Sequence, residues 1–204
     1  MDNIDNNVSK ANFWNNCYAN DNTGWDLGDV TPVFKDWCDN LDKKYKICVP
    51  GSGNGYDALY FAQQGHDVFA IDFALEPIQK IKLEAKKQNI KINTLMCDFF
   101  SLDKKFYNQF DFIVEYTFFC AISPFRRSEY VNTVYNLLSS SGLLVGLFFP
   151  LNKDESEGGP PFGIKLDKIV SDFSKKFNLI SNFKHPLSIP VRSDNEQYFE
   201  FIKK

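Results

Sequence analysis

Two histidines in 204 residues, and five cysteines of which no two are spaced as CxxC, leave little from which to build a metal site. His66 and His185 have no ligand-like spacing to Cys17, Cys38, Cys48, Cys97 or Cys120. An odd cysteine count without a pairing pattern suits a reducing compartment with buried thiols, and Cys48 and Cys97 fall within apolar runs. A long hydrophobic run is missing too. The longest, "GLLVGLFFP" at 142–150, is far too short to cross a bilayer. A basic excess is also missing, since the net charge is −3 and the isoelectric point about 5.4, which argues against a broad nucleic-acid-binding face. Lys80, Lys82, Lys86, Lys87 and Lys91 fall on a helical pattern and read as a solvated face. The opening "MDNIDNNVSK" is acidic and polar, unlike a signal peptide. These absences predict a soluble cytoplasmic protein, monomer or homodimer, that binds neither nucleic acid nor membrane.

What is present is a globular composition, 44% hydrophobic and 24% charged, with 21 phenylalanines. The length suits one domain across 1–204. From residue 46 onward, short apolar runs alternate with amphipathic stretches. Strands are predicted at "KICVPG", "DVFAIDF" (67–73), "INTLMCD" (92–98), "FDFIVEYT" (110–117) and "GLLVGLFF". Helices are predicted over 56–65, about 75–88 and about 125–140. Buried strands alternating with helices imply a parallel sheet covered on both faces, a doubly wound Rossmann-like α/β fold. A helix near 166–176 precedes "FNLISNF" (177–183) and "EQYFEFIKK" (196–204), which fit an antiparallel hairpin at the sheet edge and bring the strands to seven. Residues 1–45 hold all three tryptophans, Trp14, Trp25 and Trp37. Short helices near 9–18 and 32–40, the second with Thr31 as cap and Pro32 in its first turn, predict a helical flap over the open end of the sheet.

The loop "VPGSGNGYD" (49–57) follows the first strand and opens a helix, at the end of the sheet where doubly wound folds bind ligands. A dinucleotide fingerprint would read GxGxxG; here Gly51, Gly53 and Gly55 make GxGxG and Tyr56 takes the sixth position. Such a loop suits close backbone approach to an uncharged moiety better than a cradle for phosphates. Asp72, at the end of the second strand, can accept both hydroxyls of a ribose. Asp98, at the end of the third, can accept from an adenine amino group while Phe99 flanks the ring. Ribose and adenine without phosphate point to S-adenosylmethionine, its methionine end lying against the glycines.

"GWDLGDVTP" (24–32), the glycine loop, "EYTFFCAISPFRR" (115–127) and "GGPPFGI" (158–164) occur in order, and together they resemble the thiol, halide and thiocyanate methyltransferases of the thiopurine methyltransferase-like group. The resemblance implies that Trp14, Tyr18 and Trp25 close over the cofactor, and that Gly51, Gly53, Asp72, Asp98, Phe99 and Tyr116 contact it. It also shows departures. Tyr18 stands where many members have a second tryptophan, Ser52 where Cys is usual, Glu115 where Asp is usual, and Phe162 where several have Tyr.

Methyl transfer from a sulfonium needs alignment more than covalent help. Aromatic faces bind the cation without competing as nucleophiles, which suits Trp25, Tyr116, Phe119, Phe149 and Phe162 as walls of the acceptor pocket. Arg192, in "PVRSDNEQ", would bring positive charge to the pocket mouth. Tyr116 and Arg192 are thus the candidate catalytic groups, with a small thiol, sulfide, thiocyanate or halide as acceptor. Such acceptors are anions or ionise readily, so no dedicated base is obligatory. Selenium, tellurium or thiopurine acceptors are the neighbouring alternatives, and a non-catalytic S-adenosylmethionine-binding regulator is the alternative of another class. A nicotinamide oxidoreductase is disfavoured by GxGxG. A nucleic-acid methyltransferase is disfavoured because its Asn/Asp-Pro-Pro-aromatic motif is not at strand four.

Overall fold

The computed structural model describes residues 7–204; the first six residues of the polar N-terminus lie outside the described residues. The strands are β1 (Lys46–Pro50), β2 (Asp67–Asp72), β3 (Asn93–Met96), β4 (Phe110–Tyr116), β5 (Leu138–Phe148), β6 (Phe177–Phe183) and β7 (Gln197–Lys203). The helices are α1 (Ala11–Ala19), α2 (Pro32–Asp39), α3 (Tyr56–Gln63), α4 (Leu75–Lys87), α5 (Arg127–Leu137) and α6 (Leu166–Ser174). One seven-stranded sheet has the order β3-β2-β1-β4-β5-β7-β6. Its first five strands in chain order pair in parallel, and β7 runs antiparallel to both β5 and β6. The expected mostly parallel sheet with a C-terminal hairpin is what forms. Among the described residues, no helix is long and apolar enough to cross a membrane, and no three His, Cys, Asp or Glu side chains group to hold a metal.

The two-residue period of the strands divides the core into two layers. Ile47 and Val49, Val68 and Ala70, and Val114 and Val145 face α2, α3 and α4. Their neighbours Cys48, Ile71, Ile113 and Leu144 face α5 and α6, where Phe119, Tyr130, Phe148 and Phe173 fill the second layer. Continuous apolar strands are therefore required, because both faces are dry. The phenylalanine richness is spent here: Phe173 stacks on Phe201 with ring centres 4.7 Å apart, and Phe148 meets Phe119 and Phe199 edge-on.

Three expectations change. The helix at 32–39 belongs to the core rather than to the flap: Val33 and Phe34 are completely buried, and Trp37 packs edge-on against Phe61 and Phe112. Thr31 stands at the N-cap position of α2, but its side chain makes no capping bond. Its backbone N–H and hydroxyl both donate to Asp57 in the first turn of α3. Pro32 opens the helix as expected, so α2 is docked through its N-terminus onto α3. Finally, α5 stops at Leu137 and β5 begins at Leu138, four residues before "GLLVGLFF". The extra residues reach back to Phe110 across an irregularity between Phe110 and Phe112.

Candidate active site

Gly51, Gly53 and Gly55 have φ of +57°, +51° and +78°, a left-handed region that disfavours every residue with a Cβ. Space is tight as well. A Cβ on Gly51 would stand 2.4 Å from the Phe118 ring, one on Gly55 2.4 Å from Ile81 of α4, and one on Gly53 3.1 Å from the Tyr18 hydroxyl. The protein's own side chains therefore take much of the room that the glycines leave. What stays open is the backbone edge of the loop. Ser52 N–H bonds to the Ile71 carbonyl, and Gly53 N–H donates to Asp72 Oδ2 at 3.0 Å. The other oxygen of Asp72 accepts from Ala74 N–H at 2.9 Å. Burial raises the Asp72 carboxyl above its ordinary range, and the N–H groups of Ala74, Gly53 and Phe73 oppose that rise. Each Asp72 oxygen keeps a free acceptor direction.

Above this loop lies a cavity of about 770 Å³. Gly51 and Asp72 border it, as do Trp14, Tyr18 and Trp25 from the N-terminal flap, and Asp98 and Phe99 from the turn after β3. Seven of the expected cofactor contacts thus converge on one space. The flap rings interlock edge-on, Trp14 to Trp25 at 5.4 Å and Tyr18 to Trp25 at 5.7 Å. Trp14 Nε1 is held by the Val8 carbonyl, and Asn15 caps α4 by accepting from Leu75 N–H. Asp98 accepts from Phe100 N–H, and its other oxygen lies 3.6 Å from Arg126.

Tyr116 and Gly53 border a second, smaller crevice next to the main cavity, which also touches Gly51, Trp25, Thr117 and Ser52. Tyr116 donates its hydroxyl proton to Glu196 Oε2 at 3.0 Å. Arg192 lies in the loop between β6 and β7, yet it is buried rather than at the mouth, 6% exposed, and it borders the main cavity. Its guanidinium carbon lies 5.1 Å from the Tyr116 ring centre and 4.8 Å from that of Phe149. Nη2 donates to the Trp25 carbonyl at 3.1 Å, whereas Nη1 has no partner among the described residues. The Ser52 hydroxyl is likewise buried, with no partner among the described residues.

Two expected pocket walls are corrected. Phe119 is 2% exposed and packs on Tyr130, Phe148 and Phe173, behind the cavity rather than beside it. Phe162 is equally buried, with its N–H bonded to the Cys120 carbonyl, and it presents Pro160 and Pro161 to the cavity instead. Phe149 and Trp25 do line it. Cys120 is buried as expected, its thiol pushed up to about 12 by burial, so it is no nucleophile.

Sequence reasoning overlooked Phe118 and Arg126. Phe118 owes its position to Thr117, whose φ of +59° turns the chain sharply after β4, and to Glu115, which accepts from Phe118 N–H and Phe119 N–H at 2.9 and 2.8 Å. Arg126 lies 3.8 Å above the Phe100 ring centre and is fixed by Glu129 at 2.8 Å, forming a charged rim. The repeated aromatics and arginines of "YTFFCAISPFRR" were the available signal. Which of them turns inward depends on the bend at Thr117.

Among solved structures, the fold is similar to a 1,6-didemethyltoxoflavin-N1-methyltransferase from Burkholderia thailandensis, crystallised with 1,6-didemethyltoxoflavin and S-adenosylhomocysteine (TM-score 0.78, 16% identity, 95% of this chain and 87% of that one). It is also similar to a TehB-like SAM-dependent methyltransferase from Corynebacterium glutamicum (TM-score 0.67, 20% identity, 98% of both chains). In sequence, the chain is 30% identical over 192 residues to the probable thiol methyltransferase 2 of Arabidopsis thaliana, covering 90% of this chain and 81% of that protein. It is 29% identical over 196 residues to thiocyanate methyltransferase 1 of the same plant, with the same coverage. A thiopurine S-methyltransferase from a Shewanella species is 26% identical over 184 residues, covering 82% and 83%. Residues 9–196 match the family model described as Thiopurine S-methyltransferase (TPMT), and the chain belongs to that family of methyltransferases.

Proposed function

We propose that this protein transfers a methyl group from S-adenosylmethionine to a small sulfur or halide acceptor: a thiol, sulfide, thiocyanate or halide. The observation that carries the reading is Arg192, a buried guanidinium bordering the cavity with Nη1 unpartnered among the described residues. A buried charge without full hydrogen bonding is costly, and an anion drawn from water offsets that cost. The cavity around it is mostly apolar and aromatic, which suits a small polarisable acceptor.

The residues fit the cofactor. Asp72 would hold the ribose hydroxyls, Asp98 with Phe99 the adenine, and Gly51, Gly53 and the orphaned Ser52 hydroxyl the methionine end. Trp14, Tyr18 and Trp25 would cover it from the flap. When bound, S-adenosylmethionine supplies an electrophilic methyl group on a cationic sulfur. Tyr116 and Trp25 would face that cation with ring π-electrons, and Phe149 with Arg192 would hold the acceptor in line with the methyl group. Alignment of this kind supplies up to roughly 7–11 kcal/mol of barrier lowering. No nucleophilic side chain is needed.

The test is an acceptor panel of sulfide, methanethiol, thiophenol, thiocyanate, iodide, selenite and a thiopurine, with methylated product identified by mass. Methylation of a sulfur or halide acceptor supports the reading. Cofactor binding without methylation of any of them would replace it with a regulatory S-adenosylmethionine-binding role.

A further inference from the structure

The proposed acceptors divide into two chemical kinds. Thiocyanate and iodide arrive as anions, whereas a thiol is largely protonated at neutral pH and must lose a proton in each turnover. No histidine lines the cavity among the described residues. Beside it, however, lies a second buried charge that the methyl-transfer geometry does not use. Glu196 is 1% exposed, immediately before β7. Its Oε2 accepts from Tyr116, and its Oε1 has no partner among the described residues. The Ser188 hydroxyl is also buried, next to Glu196. Arg192 lies beside the same phenol. One phenol thus neighbours a cation that borders the cavity and a carboxylate that does not.

We propose that Glu196 accepts, through Tyr116, the proton that a neutral thiol sheds during methyl transfer; this rests on the thiol-acceptor reading above. Arg192 stabilises negative charge growing on the acceptor sulfur, and Tyr116 Oη has a free lone pair because its own proton points to Glu196. The acceptor sulfur bonds to the methyl carbon as that carbon's bond to the sulfonium sulfur breaks. The S–H proton passes to Tyr116 Oη while the Tyr116 proton passes to Glu196 Oε2. The products are a neutral thioether, S-adenosylhomocysteine and a protonated Glu196, which returns its proton to water between turnovers. Burial already raises the Glu196 carboxyl above its ordinary range, opposed by Ser188, Tyr116 and Arg192, so the acid form is within reach.

The experiment compares methanethiol, an alkyl thiol protonated at neutral pH, with iodide in wild type, Glu196→Gln and Tyr116→Phe. Glutamine keeps an acceptor for the Tyr116 hydroxyl, and Phe keeps the ring under Arg192. In both variants the thiol-to-iodide ratio of kcat/KM falls at least roughly thirtyfold. The remaining thiol activity of E196Q rises with pH in step with solution ionisation of the thiol, a slope weaker in wild type. A second readout follows the proton itself. Mixing methanethiol with protein saturated with S-adenosylmethionine produces, within one turnover, a transient infrared carboxylic-acid carbonyl band in wild type that is absent in E196Q. Equal loss with both acceptors, or no difference in the infrared band, overturns the relay. If wild type methylates neither acceptor, the acceptor reading falls and the relay with it, whereas failure of the relay alone leaves methylation of both acceptors in place.

Discussion

Phe118 lies across Gly51 so closely that a Cβ on the glycine would stand 2.4 Å from its ring. The two residues come from the loops after β1 and β4, and together they form the floor of the cavity. Gly55 stands in the same relation to Ile81, but at the helix–sheet seam away from the cavity. The two glycines therefore separate by experiment. Gly55→Ala combines φ of +78° with a clash inside the core and should cost at least about 2 kcal/mol of stability. Gly51→Ala should cost comparable stability and also displace Phe118, raising the dissociation constant for S-adenosylhomocysteine. Thermal melts and calorimetry check both.

Asp72→Ala removes the acceptor for Gly53 N–H and Ala74 N–H together with the proposed ribose contact. Its expected effect is a rise of at least roughly tenfold in the dissociation constant for S-adenosylhomocysteine, measured by titration calorimetry. Unchanged affinity would mean the ribose lies elsewhere.

Arg192→Lys keeps the charge but not the fork, and one ammonium cannot both hold the Trp25 carbonyl and reach an anion as the guanidinium does. Loss of about 2 kcal/mol or more, roughly thirtyfold in kcat/KM for iodide, is expected with cofactor affinity little changed. A variant that methylates iodide as well as wild type would remove Arg192 from the acceptor site.

Glu115 makes stability depend on pH. It is 1% exposed, accepts from the Tyr130 hydroxyl at 2.6 Å, and burial raises its carboxyl to about 7. A carboxyl raised above its unfolded value binds its proton more tightly in the fold. Its contribution is therefore complete below about 4.5 and is lost as pH rises through about 7. The melting temperature should fall between pH 5 and pH 8, and Glu115→Gln should flatten that slope. A slope identical in the variant would assign the dependence to other groups.

The flap tryptophans offer an optical check. Trp14 and Trp25 border the cavity, while Trp37 is held against Phe61 and Phe112 in the core layer of α2 and α3. S-Adenosylhomocysteine should change the intrinsic fluorescence of wild type and of Trp37→Phe alike. The response should shrink in Trp25→Phe.

Much of the site was legible in the chain because its parts are local. A glycine loop behind a buried strand, and acids at the ends of the next two strands, are fixed by the parallel α/β alternation, which brings those strand ends to one edge. Asp72, Asp98 and the glycines needed only that alternation. The placement of Trp37 was not legible, because α2 and the flap are equally aromatic and only the docking of Thr31 onto Asp57 assigns α2 to the core.

Composition, the order of elements and the phosphate-free glycine pattern were determined by the sequence alone, because the two-residue strand period and the left-handed turns act over short stretches. Tertiary structure decided which of the 21 phenylalanines face the cavity, since the bend at Thr117 turns Phe118 inward and buries Phe119. It also decided that Arg192 is buried beside Tyr116 and Glu196, although the tyrosine and the glutamate are 80 residues apart. Side chains so distant in sequence meet only when β4 and the β6–β7 loop pack together. Their meaning comes from the low-dielectric surroundings that this packing creates.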